Sequence, residues 1–488
     1  MTRILAIDQG TTNTKAVLFD DRLAVIDRAS APLVSTYPAD GWAEQSAGAI
    51  RDSVAAVIAM IAEQNGAEGI EAIAIANQRE TLVVWDAETG KPIAPAILWQ
   101  CRRTADACAA LEAAGHGPEV LAATGLGINP LFLASKLGWV MQNLPEAREL
   151  AATGRLRAGT VDAWLIWSLT GGAVFATDHS NASRTQLFDT AALRFSEALC
   201  TIFGAPLDAL PEPRASDAGF GVTAGGATAL PAGIPIRAVM GDSHAALYGH
   251  GVTGPGEVKA TFGTGSSLMA LTPERIASSH GLSGTIGWTA AGQPHYAVEG
   301  NITVSAQAAE FVARMLGVAN AAALSDLAQT VPDSAGVSFV PALAGLGAPH
   351  WDDAARGTVA GLTLGSQPAH LARATFEAIA HQVTDVFEAM EQDCGRSLDM
   401  LRADGGASAN DWLMQLQADL LGHPVIRSEI AEIGARGAAA MALAALGREV
   451  PPPAGGAAVF APQLQESNRL RARENWRHAV DMARHRAD

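Results

Sequence analysis

Ile4-Leu5-Ala6-Ile7-Asp8-Gln9-Gly10-Thr11-Thr12-Asn13-Thr14-Lys15-Ala16-Val17-Leu18-Phe19 is the stretch that decides the architecture. Two apolar runs flank a short polar loop, a spacing that predicts strand, tight turn, strand. Consecutive small residues let backbone N–H groups converge on an anion, and the Thr hydroxyls add donors. Lys15 adds a point charge, and Asp8 ends the first strand, where a carboxylate can hold Mg²⁺ directly or through water. The same residue types also make an ordinary hairpin with a turn-forming Asp. The loop matches neither GxxxxGK[ST] nor GxGxxG.

A similar unit recurs half a chain later. Glu257-Val258-Lys259-Ala260-Thr261-Phe262 reads as a strand, Gly263-Thr264-Gly265-Ser266-Ser267 form a loop, and Leu268-Met269-Ala270-Leu271 resume the strand pattern. Two such loops at matching places strengthen the phosphate reading and predict two domains of related plan. Between them, residues 47–64 carry a helical pattern ended by Asn65-Gly66. Residues 70–75 form a buried strand that runs into Asn77-Gln78-Arg79-Glu80. Residues 234–240 form another strand leading into Gly241-Asp242, where a helix opens. Alternating strands and Ala-rich helices give an α/β class. The Gly/Pro cluster at Gly249, Gly251, Gly254, Pro255 and Gly256 marks the expected boundary, with domains at 1–248 and 249–488. Leu401-Arg402-Ala403-Asp404-Gly405-Gly406 reads as a strand and glycine turn, with a helix starting near Ser408. Such a helix N-terminus favours an anion, and Ser408 would equally serve as a plain N-cap.

Composition narrows the classes. The 488 residues are 49% hydrophobic and carry a formal net charge of −17, which argues against nucleic-acid binding and against an anionic membrane surface. The four cysteines form no CxxC pair, and the twelve histidines show no ligand spacing. The N-terminal apolar run is too short for a signal peptide, and no run of about 20 apolar residues could span a bilayer. A cytoplasmic protein is expected. Its partners would be a small molecule and, at most, further copies of itself. The Arg-rich segment from Arg469 to Arg486 reads as a solvated terminal helix.

Several residues stand where chemistry is done. Asp242 follows a buried strand, at the sheet edge where ligands of open α/β sheets bind, although an N-cap Asp would sit there too. Arg79-Glu80 also ends a strand. Trp99-Gln100-Cys101-Arg102-Arg103 offers an aromatic wall with donors. Lys136 and Trp139 share a helix face and read as a structural pair. His244 is the histidine nearest these candidates.

Taken in order, Asp8-Gln9-Gly10-Thr11-Thr12, Asn77-Gln78-Arg79-Glu80-Thr81, Trp99-Gln100-Cys101-Arg102-Arg103-Thr104, Gly241-Asp242, Phe262-Gly263-Thr264-Gly265 and Asp404-Gly405-Gly406-Ala407 resemble the FGGY carbohydrate kinases. The second and third segments look most like the glycerol-phosphorylating branch of that family, and residues 357–377 resemble the family's C-terminal signature. The resemblance implies two actin-like, ribonuclease-H-like domains with ATP in the cleft between them. It places Asp8 near Mg²⁺ and the phosphates, with Thr11, Thr12, Asn13 and Lys15 on the first phosphate loop and Thr264 on the second. Ala306, Glu310, Gly406 and Asn410 fall at nucleotide contacts. Arg79, Glu80, Trp99, Leu131, Asp242, Ser243 and Ser267 fall at the polyol site, with Asp242 as general base. The implied reaction is ATP-dependent phosphorylation of a small polyol or sugar, glycerol first.

The chain departs from the family's pattern at Leu131, Ser243 and Ser267, where Tyr, Gln and Phe are usual. It departs again at Ala306 and Glu310, where Gly and Gln are usual. Erythritol or a pentulose is therefore an alternative acceptor. A non-enzymatic actin-like ATPase is the alternative of another class, since it would share the phosphate loops without needing Arg79, Glu80 and Asp242.

Overall fold

The computed structural model describes residues 2–430, 432–453 and 456–484. In its first half, β1 (Arg3–Gln9), β2 (Asn13–Phe19) and β3 (Val25–Pro32) form an antiparallel meander. α1 (Ala47–Asn65) leads to β4 (Ile70–Asn77), which lies parallel to β1. α2 (Leu133–Asn143), α3 (Val161–Leu169) and the single turn α4 (His179–Ala182) follow, then β5 (Ile236–Gly241) and α5 (Asp242–Gly249). The sheet order is β5-β4-β1-β2-β3.

The second half repeats the plan. β6 (Glu257–Phe262), β7 (Ser266–Leu271), β8 (Ser283–Ala290) and β9 (Gln293–Ile302) are antiparallel neighbours. α6 (Ala306–Leu316) and the long α7 (Pro368–Cys394) precede β10 (Met400–Asp404), which lies parallel to β6. Then come α8 (Asp411–Leu421), β11 (Val425–Ser428), α9 (Ile433–Ala445), β12 (Ala457–Phe460) and α10 (Glu466–Arg484). The order β8-β9-β7-β6-β10-β11-β12 contains the first sheet's arrangement, with β6 in the place of β1 and β10 in that of β4. The repeat suggested by the two Gly/Thr loops is therefore a repeat of topology.

The two-residue period of β4, Ile70 to Asn77, alternates isoleucine with alanine, and each kind takes one face. Ile73 and Ile75 join Leu5, Ile7 and Val239 against α1 and α3. Ala72, Ala74 and Ala76 join Ala6 and Ala238 against the alanines of α9, a helix from the second half of the chain. Small side chains on both surfaces let α9 sit close to the first sheet. α5 and α9 cross between the two sheets at glycine contacts: a Cβ on Gly437 would lie 1.8 Å from the Ala245 carbonyl oxygen, and one on Gly249 2.2 Å from that of Ile433.

The C-terminal helix departs from expectation. Arg473, Trp476, Ala479, Val480 and Ala483 are buried. Arg473 pairs with Asp385 at 2.5 Å and Glu388 at 3.0 Å, and Trp476 stacks on His381 at 5.1 Å. A strongly polar sequence conceals this apolar seam, because long charged side chains dominate the count. Arg486 lies outside the described residues. The four cysteines are unpaired, and among the described residues no single helix is long and apolar enough to cross a membrane.

Intrinsic helix propensity favours alanine over glycine by about 1 kcal/mol. At Gly437 the opposite outcome is expected: Gly437→Ala forces the helix pair apart at a cost of about 1–3 kcal/mol. The thermal midpoint should fall, whereas a rise would mean that α5 and α9 do not touch there.

Candidate active site

The first-half strands β1, β4 and β5 end side by side, placing Asp8, the 77–80 turn and Asp242 at one edge. A short buried run, Asp178 to Thr185, holds this edge together. Asp178 accepts hydrogen bonds from the Ser180 and Asn181 amides, both at 2.9 Å, and so caps α4. Asn181 and Asn77 exchange two amide hydrogen bonds at 2.9 and 3.1 Å. The Gly241 amide donates to Ser180 Oγ at 3.0 Å, fixing the residue before Asp242. Gln78 N donates to the Gln9 carbonyl at 2.7 Å, tying the turn to the first loop.

Four charges interlock beneath this edge. Arg184 Nε donates to Glu80 Oε1 at 2.7 Å, and Arg184 Nη2 lies 2.8 Å from Glu299 Oε2. Arg79 Nη2 lies 2.8 Å from Glu299 Oε1, and Arg79 Nε donates to Asp242 Oδ1 at 3.2 Å. The Arg184 and Glu299 side chains are 0% exposed. Burial opposes the Glu299 charge, yet Arg184 and Arg79 hold its carboxyl well below the usual range. Burial likewise opposes Arg79, and Glu299, Glu80 and Asp242 raise it above its ordinary value. Arg79 Nη1 is buried without a hydrogen-bond partner and sits 4.0 Å from Glu80 Oε1. His244 does not act beside Asp242: it is fully buried, its Nε2 lies 3.2 Å from Thr285 Oγ1, and burial and Arg79 keep its pKa well below the usual value.

The Asp242 side chain is 41% exposed. Its Oδ1 also accepts from the Ser243 amide at 2.6 Å, while Oδ2 has no protein hydrogen bond among the described residues. Ser243 Oγ lies 3.4 Å from Arg79 Nη2 and 3.5 Å from Ser267 Oγ, which donates to Glu299 Oε1 at 2.9 Å. The two serines and Glu299 thus form a hydroxylated wall. Trp99 is half-exposed, and its indole donates to Thr11 Oγ1 at 3.0 Å, so this wall residue touches the first loop. Leu131 is partly buried at the head of α2.

Facing this set, Thr12 and Asn13 are exposed on the first loop and Thr264 on the second. The Ala306 amide donates to the Gly263 carbonyl at 3.1 Å, which seats α6 on the second loop. Glu310 is exposed and accepts from the Ala321 amide at 3.3 Å. Close backbone approach belongs to Gly405 rather than Gly406: a Cβ on Gly405 would lie 2.5 Å from the Phe262 carbonyl oxygen, while Gly406 is open. The following helix starts at Asp411, not near Ser408. Its cap is Asn410, whose Oδ1 accepts from the Leu413 amide at 3.1 Å and whose Nδ2 donates to Ser325 at 2.9 Å. A 3-10 turn over 406–409 separates the glycines from the helix.

Asp8 stands near the end of β1, within reach of the Asp242 charge. Burial, then the charge of Asp242, raises its carboxyl pKa to about 7, with Lys15 opposing. Lys15 itself pairs with Glu432 at 2.9 Å across the two halves. A Cβ on Gly434 would stand 3.7 Å from Asp8 Oδ2 and 3.8 Å from the Asp242 carbonyl, so α9 approaches both at a residue without a side chain. An oxygen donor whose ionisation is suppressed for want of a countercharge fits a hard divalent cation. Among the described residues no three ligands are clustered, so the cation would draw further ligands from phosphates and water.

The sequence reading missed Arg184, Glu299, Asn181 and Gly434. The polar run 178–185, wholly buried, was a legible oddity in an apolar chain. Glu299 sits in an unremarked strand and gave no signal. Lys136 and Trp139 do not pair. Trp139 meets Trp42 edge-on at 5.3 Å, with the Arg103 guanidinium over both rings, and Lys136 turns inward.

Comparison with known proteins agrees with this geometry. Residues 3–249 match the N-terminal domain of the FGGY family of carbohydrate kinases, and residues 258–446 its C-terminal domain. A glycerol kinase of Symbiobacterium thermophilum is 45% identical over 490 residues, covering 99% of this chain and 98% of the relative. An apulose kinase of Pectobacterium atrosepticum is 44% identical over 498 residues, covering 99% of each. The crystal structure of Plasmodium falciparum glycerol kinase with ADP superposes with a TM-score of 0.93 at 29% identity, over 100% of this chain and 99% of that one. With its duplicated fold and its family-wide match in both halves, the chain belongs to the FGGY family of carbohydrate kinases, ATP-dependent enzymes acting on sugars and polyols.

Proposed function

We propose that the enzyme transfers the γ-phosphoryl group of ATP to a terminal hydroxyl of glycerol, with Asp242 as general base. The observation that carries this reading is the cluster of unmet polar groups at the strand edge. Arg79 Nη1 lacks a partner and Asp242 keeps Oδ2 free. A vicinal diol supplies an acceptor for the first and a donor for the second. A buried donor left unpaired costs about 1–3 kcal/mol, so such a ligand is favoured by completing the set.

Phosphoryl transfer depends on positioning and charge neutralisation more than on covalent help. Asp242 Oδ2 accepts the proton as the substrate oxygen bonds to the γ-phosphorus and the bond to the ADP oxygen breaks. Arg79 keeps the Asp242 carboxylate oriented through Oδ1. Thr11, Thr12, Asn13 and Lys15 hold phosphate oxygens from one side and Thr264 from the other. Ala306, Glu310, Gly406 and Asn410 border the adenosine. Asp8 is the metal-binding candidate, and Mg²⁺, when bound, neutralises phosphate charge. In this division, residues 1–248 hold the polyol and the first loop, and 249–488 the second loop and the nucleoside. The free, largely buried cysteines accord with a cytoplasmic setting.

A longer or branched polyol or ketose is the second reading, favoured by the hydroxylated wall of Ser243, Ser267 and Glu299. Leu131 and Ser267 leave more room than aromatic side chains would, and a relative of equal similarity carries the name apulose kinase. A coupled ADP-release screen over glycerol, tetritols, pentitols and ketoses separates the two readings, and no stimulation by any of them would overturn both.

Asp242→Asn should lower turnover by about 10²–10⁴ while ATP affinity stays within twofold. Near-normal turnover would reduce Asp242 to a helix-start residue.

The Asp8 carboxyl titrates at about 7 when folded, against an ordinary 3.8. The unfolded chain therefore releases this proton first, and the nucleotide-free protein loses stability as pH rises between those values. Asp8→Asn should abolish activity yet melt higher than wild type, with a larger gap at pH 8 than at pH 5. An equal gap at both pH values would contradict the assigned shift.

Ser267→Phe should lower the KM for glycerol by restoring an apolar wall against the three-carbon chain, an effect of about tenfold per methylene-sized contact. A higher KM for glycerol, with activity lost on a four- or five-carbon polyol, would establish the longer substrate.

A further inference from the structure

Lys136 lies on α2, and its side chain is wholly buried. An aliphatic residue would fill that space without the cost of burying an amine. The amine is instead used: Nζ donates to the Glu80 carbonyl at 2.9 Å and to the Leu131 carbonyl at 2.7 Å. Both acceptors are backbone atoms of segments that border the polyol pocket. Glu80 is the more demanding of the two, because its φ of +60° is left-handed, a conformation that side-chain-bearing residues adopt only when their surroundings hold them there. Arg184 holds the Glu80 side chain, and Lys136 holds its main chain. On the other side, the Leu131 amide donates to Asn129 Oδ1 at 2.9 Å, so the Lys136 contact completes the fixing of that loop.

We propose that Lys136 is a positioning residue for the polyol pocket, clamping the left-handed backbone at Glu80 to the Leu131 segment through one amine. The clamp acts on polyol binding and leaves the nucleotide side alone, since neither acceptor belongs to a phosphate loop. Burial draws the Lys136 pKa down to about 7, against the pull of Glu80, Cys101 and Cys108. Ammonium and neutral amine both keep at least two N–H groups, so the two carbonyls are served in either form.

The proposal rests on the polyol-kinase reading above, and wild-type turnover in the same assay tests that reading separately. Lys136→Met is nearly isosteric and removes every donor. Its KM for the polyol should rise by about tenfold or more, as expected when two buried carbonyls lose their partner. Its KM for ATP should stay within twofold. A polyol KM within twofold of wild type would overturn the proposal, as would a parallel rise in both KM values, because a merely structural lysine would shift the melting point without splitting them. Should Lys136→Met not fold, Lys136→Gln carries the test. Its amide retains donors but is one bond shorter, and a several-fold rise confined to the polyol KM is expected. A wild-type polyol KM in that variant would equally overturn the clamp.

Discussion

The constraint on which the rest depends is the buried charge cluster of Arg79, Arg184, Glu80 and Glu299. Two ions removed from water cost several kcal/mol each, and their attraction offsets this only when geometry and partners are complete. Here three charges come from the first half of the chain and Glu299 comes from a strand of the second sheet. The cluster therefore joins the two halves beside the strand edge that carries Asp242. Deleting one member leaves another uncompensated, so its stability and its function cannot be varied independently. The cluster is not fully hydrogen-bonded within the protein: Arg79 Nη1, Arg184 Nη1 and Nη2 and Glu299 Oε2 have no hydrogen-bond partner among the described residues.

Backbone contacts set the geometry around that cluster. Gly249 and Gly437 let α5 and α9 touch, and the alanine face of the first sheet lets α9 lie close against it. Because α5 begins at Asp242 and α9 passes the Asp8 carboxylate and the Asp242 carbonyl at Gly434, the same packing positions the residues at the strand edge. A larger residue at Gly249 or Gly437 would push apart the helices on which Asp242 and Gly434 stand. Packing and chemistry are coupled here through small residues, which leave no slack between a core contact and the strand edge.

Electrostatics in the cleft follows from that arrangement. Asp8 and Asp242 face a common space with too little positive charge from the protein, since Lys15 is engaged by Glu432. Two carboxylates so placed raise each other's cost of ionisation unless a countercharge joins them. On the other side of Asp242 the polarity has a different source: Ser243 and Ser267 place hydroxyls against Arg79 and Glu299.

The sequence by itself determined the elements with strong local signals. The two Gly/Thr loops, the alternation in β4 and the strand leading to Asp242 depend on contacts a few residues apart, and their spacing is readable along the chain. Arg79, Glu80 and Asp242 stand out in the sequence because strand ends are where such sheets bind ligands. Only the tertiary structure decided what those residues meet. Glu299 and Arg184 are brought to Arg79 by pairings across more than a hundred positions, for which no local pattern exists. Asn410 rather than Ser408 caps its helix because a 3-10 turn absorbs the intervening residues. The C-terminal helix buries a seam that its charge composition conceals, and Lys136 turns inward to two carbonyls, one of them on the distant Glu80. Local propensity operates over a few bonds, whereas a buried charge or donor must be satisfied by whatever the fold brings within about 3 Å.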